Sequence, residues 1–413
     1  MTNQKPSTAT LRKLARERLG FDELRPGQES AITALVGGRD VVAIMPTGAG
    51  KSAIYLLAGA LLDGATVVVS PLIALQRDQV EAIAESDLGE AAEVNSTVSA
   101  REQRETFEEV QTGALEYLFF APEQLAREET RDQLRTMKLS LFVVDEAHCI
   151  SEWGHDFRPD YLRLAAVIED QGHPTVLALT ATAAPPVRAE IAERLGLREP
   201  EMIVSGFDRP NLWLGVEAFD DSDAKREALL ERVTETSTPG IVYAATRRHV
   251  EEITVALAQR GVNAAAYHAG MNAGERERTQ DAFMSGEIDV IVATSAFGMG
   301  IDKPDVRFVF HADIPGSLDN YYQEIGRAGR DGEPAKAVLF YDPADMGRQR
   351  FMTGTGTVTA DETDSVLRSV RARQRIDPVA LRDQLGLSDT RLTRILTRLE
   401  QLDAAELDAD GMA

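Results

Sequence analysis

Val41-Val-Ala-Ile-Met-Pro-Thr-Gly-Ala-Gly-Lys-Ser52 runs from an apolar strand through a glycine-rich turn into an apolar helical pattern over residues 53–62. Strand, loop and helix in that order are what a phosphate cradle requires. The loop's backbone N–H groups then gather at a helix N-terminus, where the unsatisfied donors and the helix dipole both favour an anion. Gly48 and Gly50, with Thr47 and Ala49 beside them, let the backbone turn those groups inward. Lys51 adds a neutralising cation, and Ser52 offers a hydroxyl to magnesium. Met45 stands where the strict pattern has glycine, so only the core from Thr47 to Ser52 fits. Taken alone, the loop also reads as an ordinary glycine turn.

Val143-Val-Asp-Glu-Ala-His148 supplies what the cradle lacks. Asp145, leaving an apolar strand, can hold the same magnesium ion, and Glu146 is placed to activate a water. Cradle and acidic pair together imply hydrolysis of a nucleoside triphosphate.

The 413 residues suggest three domains or fewer, each large enough to bury a core. No apolar run reaches membrane-spanning length, and Met1 to Thr10 is polar with no signal-peptide core, so a cytoplasmic protein without a membrane partner is expected. Cys149 is the single cysteine, which excludes an internal disulfide and any cysteine-rich zinc site. The net charge of −23 runs against a nucleic-acid partner unless basic residues are concentrated locally. A high-salt cytoplasm is one account of that acidity.

Strand-like runs at Thr66–Ser70, Tyr117–Phe120, Leu141–Val144 and Val176–Thr180 alternate with helical patterns, which predicts a parallel α/β sheet. A second set follows Thr238-Pro-Gly240: Ile241–Tyr243, Ala264–Tyr267, Val290–Ala293, Phe308–Phe310 and Ala337–Tyr341. Two similar α/β domains are expected, with the boundary near Ser205: a lead-in over 1–20, then 21–205, 206–346 and a helical region over 347–413. The second has no cradle, so its expected task is to complete a site held by the first. Tyr321-Tyr-Gln-Glu-Ile-Gly-Arg-Ala-Gly-Arg-Asp331 places Arg327 and Arg330 one helical turn apart, where both can face one ligand. They read as arginine fingers that offset charge on a transferred phosphoryl group. Surface ion pairing is the alternative.

In these segments the chain resembles the RecQ family of DNA helicases, within helicase superfamily 2, over roughly residues 20–346. Phe21-x-x-Leu-Arg-Pro-Gly-Gln28 is similar to the family's adenine-recognition motif, which implies that Gln28 reads the adenine edge and Arg25 lies against the base. Val68-Val-Ser-Pro-Leu-Ile-Ala-Leu-Gln-Arg-Asp-Gln79 and Ala121-Pro-Glu-Gln-Leu125 resemble its strand-contacting motifs. Leu179-Thr-Ala-Thr-Ala183, with Thr180 and Thr182, resembles the one that couples hydrolysis to movement. Gly240-Ile-Val-Tyr243, Tyr267-His-Ala-Gly270, Ala293-Thr-x-x-Phe-Gly-Met-Gly-Ile-Asp302 and the arginine segment resemble the rest in family order, with Asp302 expected at the nucleotide. The resemblance implies two tandem RecA-like domains.

His148-Cys-Ile-Ser-Glu-Trp-Gly-His-Asp-Phe-Arg-Pro-Asp-Tyr161 resembles the family's aromatic-rich loop, which senses single-stranded DNA. Trp153 and Phe157 offer faces for stacking bases, Arg158 can pair with phosphate and His155 can hydrogen-bond. A buried aromatic cluster is the competing reading. Beyond Met346 the chain departs from fuller family members, since no cysteine remains for their zinc module, and no zinc is expected. Residues 378–385, 386–388 and 389–402 read instead as helix, turn and helix, with Leu392, Ile395, Leu396, Leu399 and Leu402 on one face and Arg391, Arg394 and Arg398 on another. From Val366 to Leu399, eight arginines against three aspartates give a local charge of +5. The segment is a candidate second DNA contact or a helical cap.

The expectation is therefore a magnesium-dependent, DNA-stimulated ATPase moving 3′ to 5′ on single-stranded DNA. Its substrates would be tailed or forked duplexes, and its candidate partners single-strand-binding or repair proteins. A superfamily-2 RNA helicase and a remodeller of protein–DNA complexes that does not unwind are the alternatives.

Overall fold

The computed structural model describes residues 6–399 except 72, 85, 87, 96–97, 152–157, 207, 299–302, 348–359, 373–377, 388–390, 393–394 and 397–398. The chain divides into two compact units, Met1–Gly206 together with Gly356–Ala413, and Phe207–Thr355.

The first unit is built on β1 (Val41–Ile44), β2 (Ala65–Val69), β3 (Ala91–Val94), β4 (Tyr117–Phe120), β5 (Leu139–Val144), β6 (Thr175–Thr180) and β7 (Glu201–Val204). They form one sheet in the order β3-β4-β2-β5-β6-β1-β7, every pairing parallel. Helices cover both faces, so central strands read as unbroken apolar runs rather than alternating ones. In β1, Val42 and Ile44 pack into one core while Val41 and Ala43 pack into the other. Strand order reverses around β1, which sets the ends of β1, β5 and β6 side by side where open α/β sheets bind ligands.

The second unit repeats the plan with β8 (Leu212–Ala218), β9 (Gly240–Tyr243), β10 (Ala264–Tyr267), β11 (Val290–Ala293), β12 (Phe308–His311) and β13 (Ala335–Tyr341), in the order β10-β11-β9-β12-β13-β8 and all parallel. The alternation of apolar runs and helical patterns predicted both sheets, but β3, β7 and β8 escaped it. β7 and β8 are edge strands whose Met202, Val204, Trp213, Leu214 and Val216 stay exposed, so no burial pattern marks them. The helix after the cradle spans Lys51–Gly59, shorter than the apolar pattern that extends to Leu62.

Near the C-terminus, Val366, Leu381, Leu392, Ile395, Leu396 and Leu399 bury one another in a small helical core. Arg391 ion-pairs with Glu362 at 3.1 Å. Leu402, Arg394 and Arg398 lie outside the described residues. Among the described residues no helix is long and apolar enough to cross a membrane.

Candidate active site

The cradle is set by β1, whose buried end delivers Met45 to Gly50 onto the N-terminus of helix Lys51–Gly59. Gly48 and Gly50 adopt φ of 76° and 70°, the left-handed region that costs a side chain roughly 1–2 kcal/mol. Gly50 is the N-cap and supplies no side-chain acceptor, so the first N–H groups of the helix are left for an anion. Met45 is fully buried in the core with Val41 and Ala43. The departure from the glycine pattern is accommodated because its side chain packs into that core. Lys51 Nζ donates to the Met45 carbonyl at 3.3 Å, folded over the loop it would neutralise.

Gln28 and Arg25 clamp the same loop from outside. The buried Gln28 accepts from the Arg25 N–H through Oε1 at 2.7 Å, and its Nε2 donates to the carbonyls of Ala49 at 3.1 Å and Gly50 at 2.8 Å. The Arg25 guanidinium donates to the Gly48 carbonyl. Phe21 is exposed beside the C-terminal end of helix Thr8–Leu19, its N–H bonded to the Ala15 carbonyl.

Asp145 leaves β5 with its N–H on the Val69 carbonyl at 2.9 Å, and its own carbonyl accepts from the Tyr161 hydroxyl at 2.9 Å. Burial pushes its carboxyl up, and the neighbouring Glu146 charge adds to this, so it reaches about 7 although Lys51 pulls the other way. An acid so raised is short of positive charge. A hydroxyl and a carboxylate are hard oxygen donors, so Ser52 and Asp145 suit magnesium. Glu146 holds φ 47° and ψ 45°, a conformation uncommon for a side-chain-bearing residue. Its Oε2 lies 3.2 Å from His148 Nδ1, which also meets Thr180 Oγ1 at 2.9 Å. Thr180 Oγ1 in turn donates to the Thr182 carbonyl at 3.0 Å and accepts from its N–H at 3.2 Å. One network thus ties the acidic pair just after β5 to the turn after β6.

Arg158 is half-buried, and its Nη1 donates to the Pro71 carbonyl at 3.0 Å, linking the aromatic-rich segment to the stretch after β2. Trp153, His155 and Phe157 lie outside the described residues, as does Asp302. In the second unit Arg327 is buried, while Arg330 is half-buried with Nε 3.4 Å from the Gly326 carbonyl.

The sequence profile of DEAD/DEAH box helicases matches residues 25–190, and that of the helicase conserved C-terminal domain matches residues 224–332. A relative in Bacillus subtilis (strain 168), RecS, named as a probable ATP-dependent DNA helicase, is 38% identical over 375 residues, covering 90% of this chain and 75% of its own length. The ATP-dependent DNA helicase RecQ of Pasteurella multocida (strain Pm70) is 42% identical over 327 residues, covering 79% of this chain and 51% of its own. The chain belongs to the RecQ family. It spans about half the length of that RecQ relative and three quarters of RecS. The fold matches that of the Mycobacterium smegmatis helicase Lhr, solved with single-stranded DNA and AMP-PNP, with a TM-score of 0.61 and 23% identity over 92% of this chain and 56% of the other. The two sheets are accordingly the two RecA-like domains expected of the family.

In this RecQ-family chain two polar side chains do work that sequence reading assigned to no one. Arg209 donates to the carbonyls of Gly326 at 3.3 Å, Ala328 at 2.7 Å and Gly329 at 2.8 Å, and Asn211 Nδ2 donates to those of Gly329 at 2.8 Å and Glu333 at 2.9 Å. Together they fix the turn that carries both arginines. Both lie in Gly206-Phe-Asp-Arg-Pro-Asn-Leu212, just past the boundary expected near Ser205. The available signal was its two long polar side chains beside a proline, which hinted at a role beyond a linker.

Proposed function

We propose that the chain is an ATP- and magnesium-dependent DNA helicase that translocates 3′ to 5′ on single-stranded DNA and opens tailed or forked duplexes. The observation that carries this is the Glu146–His148–Thr180–Thr182 network, which joins the reacting end of a phosphate cradle to the segment that would move. Lys51 and the cradle N–H groups hold the β- and γ-phosphates. Magnesium, when bound, offsets their charge from the oxygens of Ser52 and Asp145. Glu146 takes the proton from the attacking water, and Arg327 and Arg330 offset charge developing on the γ-phosphoryl group. Phe21, Arg25 and Gln28 take the adenine, with Asp302 as a further nucleotide contact. Because the Gln28 amide is bonded to Ala49 and Gly50, reading a base exchanges one of those bonds and so reports on the shape of the phosphate loop.

Trp153, His155, Phe157 and Arg158 sense the single strand, and Thr180 and Thr182 convey turnover to it. The curated relatives are named DNA helicases, which favours DNA over RNA. The chain works in the cytoplasm without zinc, alongside single-strand-binding or repair proteins, and the arginine-rich helices near the C-terminus add a second DNA contact.

The test is strand separation of a 3′-tailed duplex with ATP and magnesium, beside ATPase rates on the same DNA. A 3′ but not a 5′ tail is expected to support unwinding. Lys51→Ala should abolish turnover while leaving DNA binding measurable, and Trp153→Ala should remove stimulation by DNA. Retained ATPase activity in Lys51→Ala would sink the assignment. Strong DNA-stimulated hydrolysis without separation would replace the helicase by a remodelling translocase.

A further inference from the structure

Tyr243 and His311 are register partners at the ends of the neighbouring strands β9 and β12, which puts their side chains on one face of the second sheet. Their rings stack with centroids 5.5 Å apart, and the Tyr321 ring lies tilted against His311 at 5.0 Å. His311 is buried, and its Nε2 meets Glu324 Oε2 at 2.8 Å. Glu324 stands one helical turn before Arg327, whose N–H bonds back to the Glu324 carbonyl at 3.3 Å. The Tyr243 hydroxyl donates to the Phe297 carbonyl at 2.7 Å, and the Arg327 guanidinium lies against that same hydroxyl. Arg327 also fills the space over Gly298, where an added Cβ would come within 3.2 Å of its Nη2.

This is an unusual setting for an arginine. It is buried, its Nε has no hydrogen-bond partner among the described residues, and no carboxylate there ion-pairs with it. A buried cation left short of partners is costly, so its direction must be imposed by what surrounds it. Tyr243 supplies that constraint. Its phenol is fixed at the oxygen by Phe297 and at the ring by His311, which Glu324 holds in turn. We propose that Tyr243, braced by the His311–Glu324 pair, is a positioning residue that aims Arg327 at the phosphoryl group during hydrolysis. The assignment rests on the ATPase reading above and adds to it the residue that sets the arginine's geometry.

Tyr243→Phe tests it in the full chain, since it deletes one oxygen and keeps the ring stack. DNA-stimulated kcat is expected to fall about tenfold, the scale of one charge-assisted hydrogen bond, with KM for ATP and single-strand affinity within about twofold of wild type. Combined with Arg327→Ala, it should add no further loss, because both remove one arrangement. A wild-type kcat in Tyr243→Phe, or losses that multiply in the double variant, overturns the proposal. If Tyr243→Phe also lowers the thermal midpoint, Glu324→Gln decides: a fall in kcat without a change in KM supports the brace, and an unchanged kcat refutes it. A wild-type chain with no ATP turnover at all overturns the ATPase reading itself, an outcome distinct from a Tyr243→Phe chain that matches an active wild type.

Discussion

Lys225→Met should unfold the second unit more than any surface change could, and the structure sets the size of the effect. Lys225 is buried on helix Ser222–Glu235, with Nζ 2.7 Å from Asp345 Oδ2 and 3.3 Å from Asp342 Oδ2, both carboxylates buried as well. At an effective dielectric constant of about 20, those distances correspond to roughly 6 and roughly 5 kcal/mol of attraction, most of it offset by the cost of taking three charges out of water. Methionine keeps the packing but strands two like charges. Removing one partner of a buried pair costs about 3–5 kcal/mol. Here the remaining donors soften the loss, since Asp342 also accepts from Ser222 Oγ at 3.1 Å and the Ala344 N–H at 2.7 Å, and Asp345 accepts from the Asp342 N–H at 3.2 Å. A loss of about 3 kcal/mol is expected.

Urea unfolding followed by Trp213 fluorescence, in a Trp153→Phe background, reports on the second unit alone because Trp213 sits on β8. The pH dependence gives a second check. Burial raises the Asp342 carboxyl, but the Lys225 charge and hydrogen bond, with Ser222 and the Ala344 N–H, outweigh it and hold the group below its ordinary value. Its contribution in the wild type is therefore complete above the unfolded value of about 4 and is lost as pH falls through the lower folded value. In the variant Asp342 loses the Lys225 charge and hydrogen bond that hold it low, so the gap to wild type narrows as pH falls through the carboxylate range. An unchanged urea midpoint, or a gap that stays constant with pH, would refute the reasoning.

Gly50→Ala puts a Cβ at φ 70° and 2.8 Å from Gln28 Nε2, so it should strain the loop by roughly 1–2 kcal/mol and displace Gln28. At least a tenfold rise in KM for ATP is expected from steady-state titration, and wild-type KM would show that the clamp is irrelevant to nucleotide binding. Thr180→Val keeps shape but removes the side-chain partner of the Thr182 N–H and carbonyl and leaves His148 Nδ1 with Glu146, a cost of about 1–3 kcal/mol. Base pairs opened per ATP should fall further than the ATPase rate, and an unchanged ratio would remove the network from the coupling path.

How far the chain could be read from its sequence depended on how locally each feature is encoded. The cradle, from Thr47 to Ser52, is one contiguous loop whose conformation follows from two glycines and a helix start, so residue order alone placed it. The buried strands of both sheets were equally legible, because a parallel strand covered on both faces must be apolar throughout. Edge strands were not: β7 and β8 satisfy only one neighbour each and carry exposed side chains, so nothing in their pattern demands a strand.

The side-chain partnerships lay wholly beyond the sequence. His148 and Thr180 are 32 residues apart, Tyr243 and His311 share a register position across two strands, and Arg209 reaches a turn 117 residues downstream. Residue order alone shows which groups are present, the carboxylates of Asp145 and Glu146, the glycine loop from Thr47 to Ser52 and two arginines. Only strand order and register decided which of them touch, because hydrogen bonds are formed by proximity that the tertiary fold creates and chain distance does not reveal.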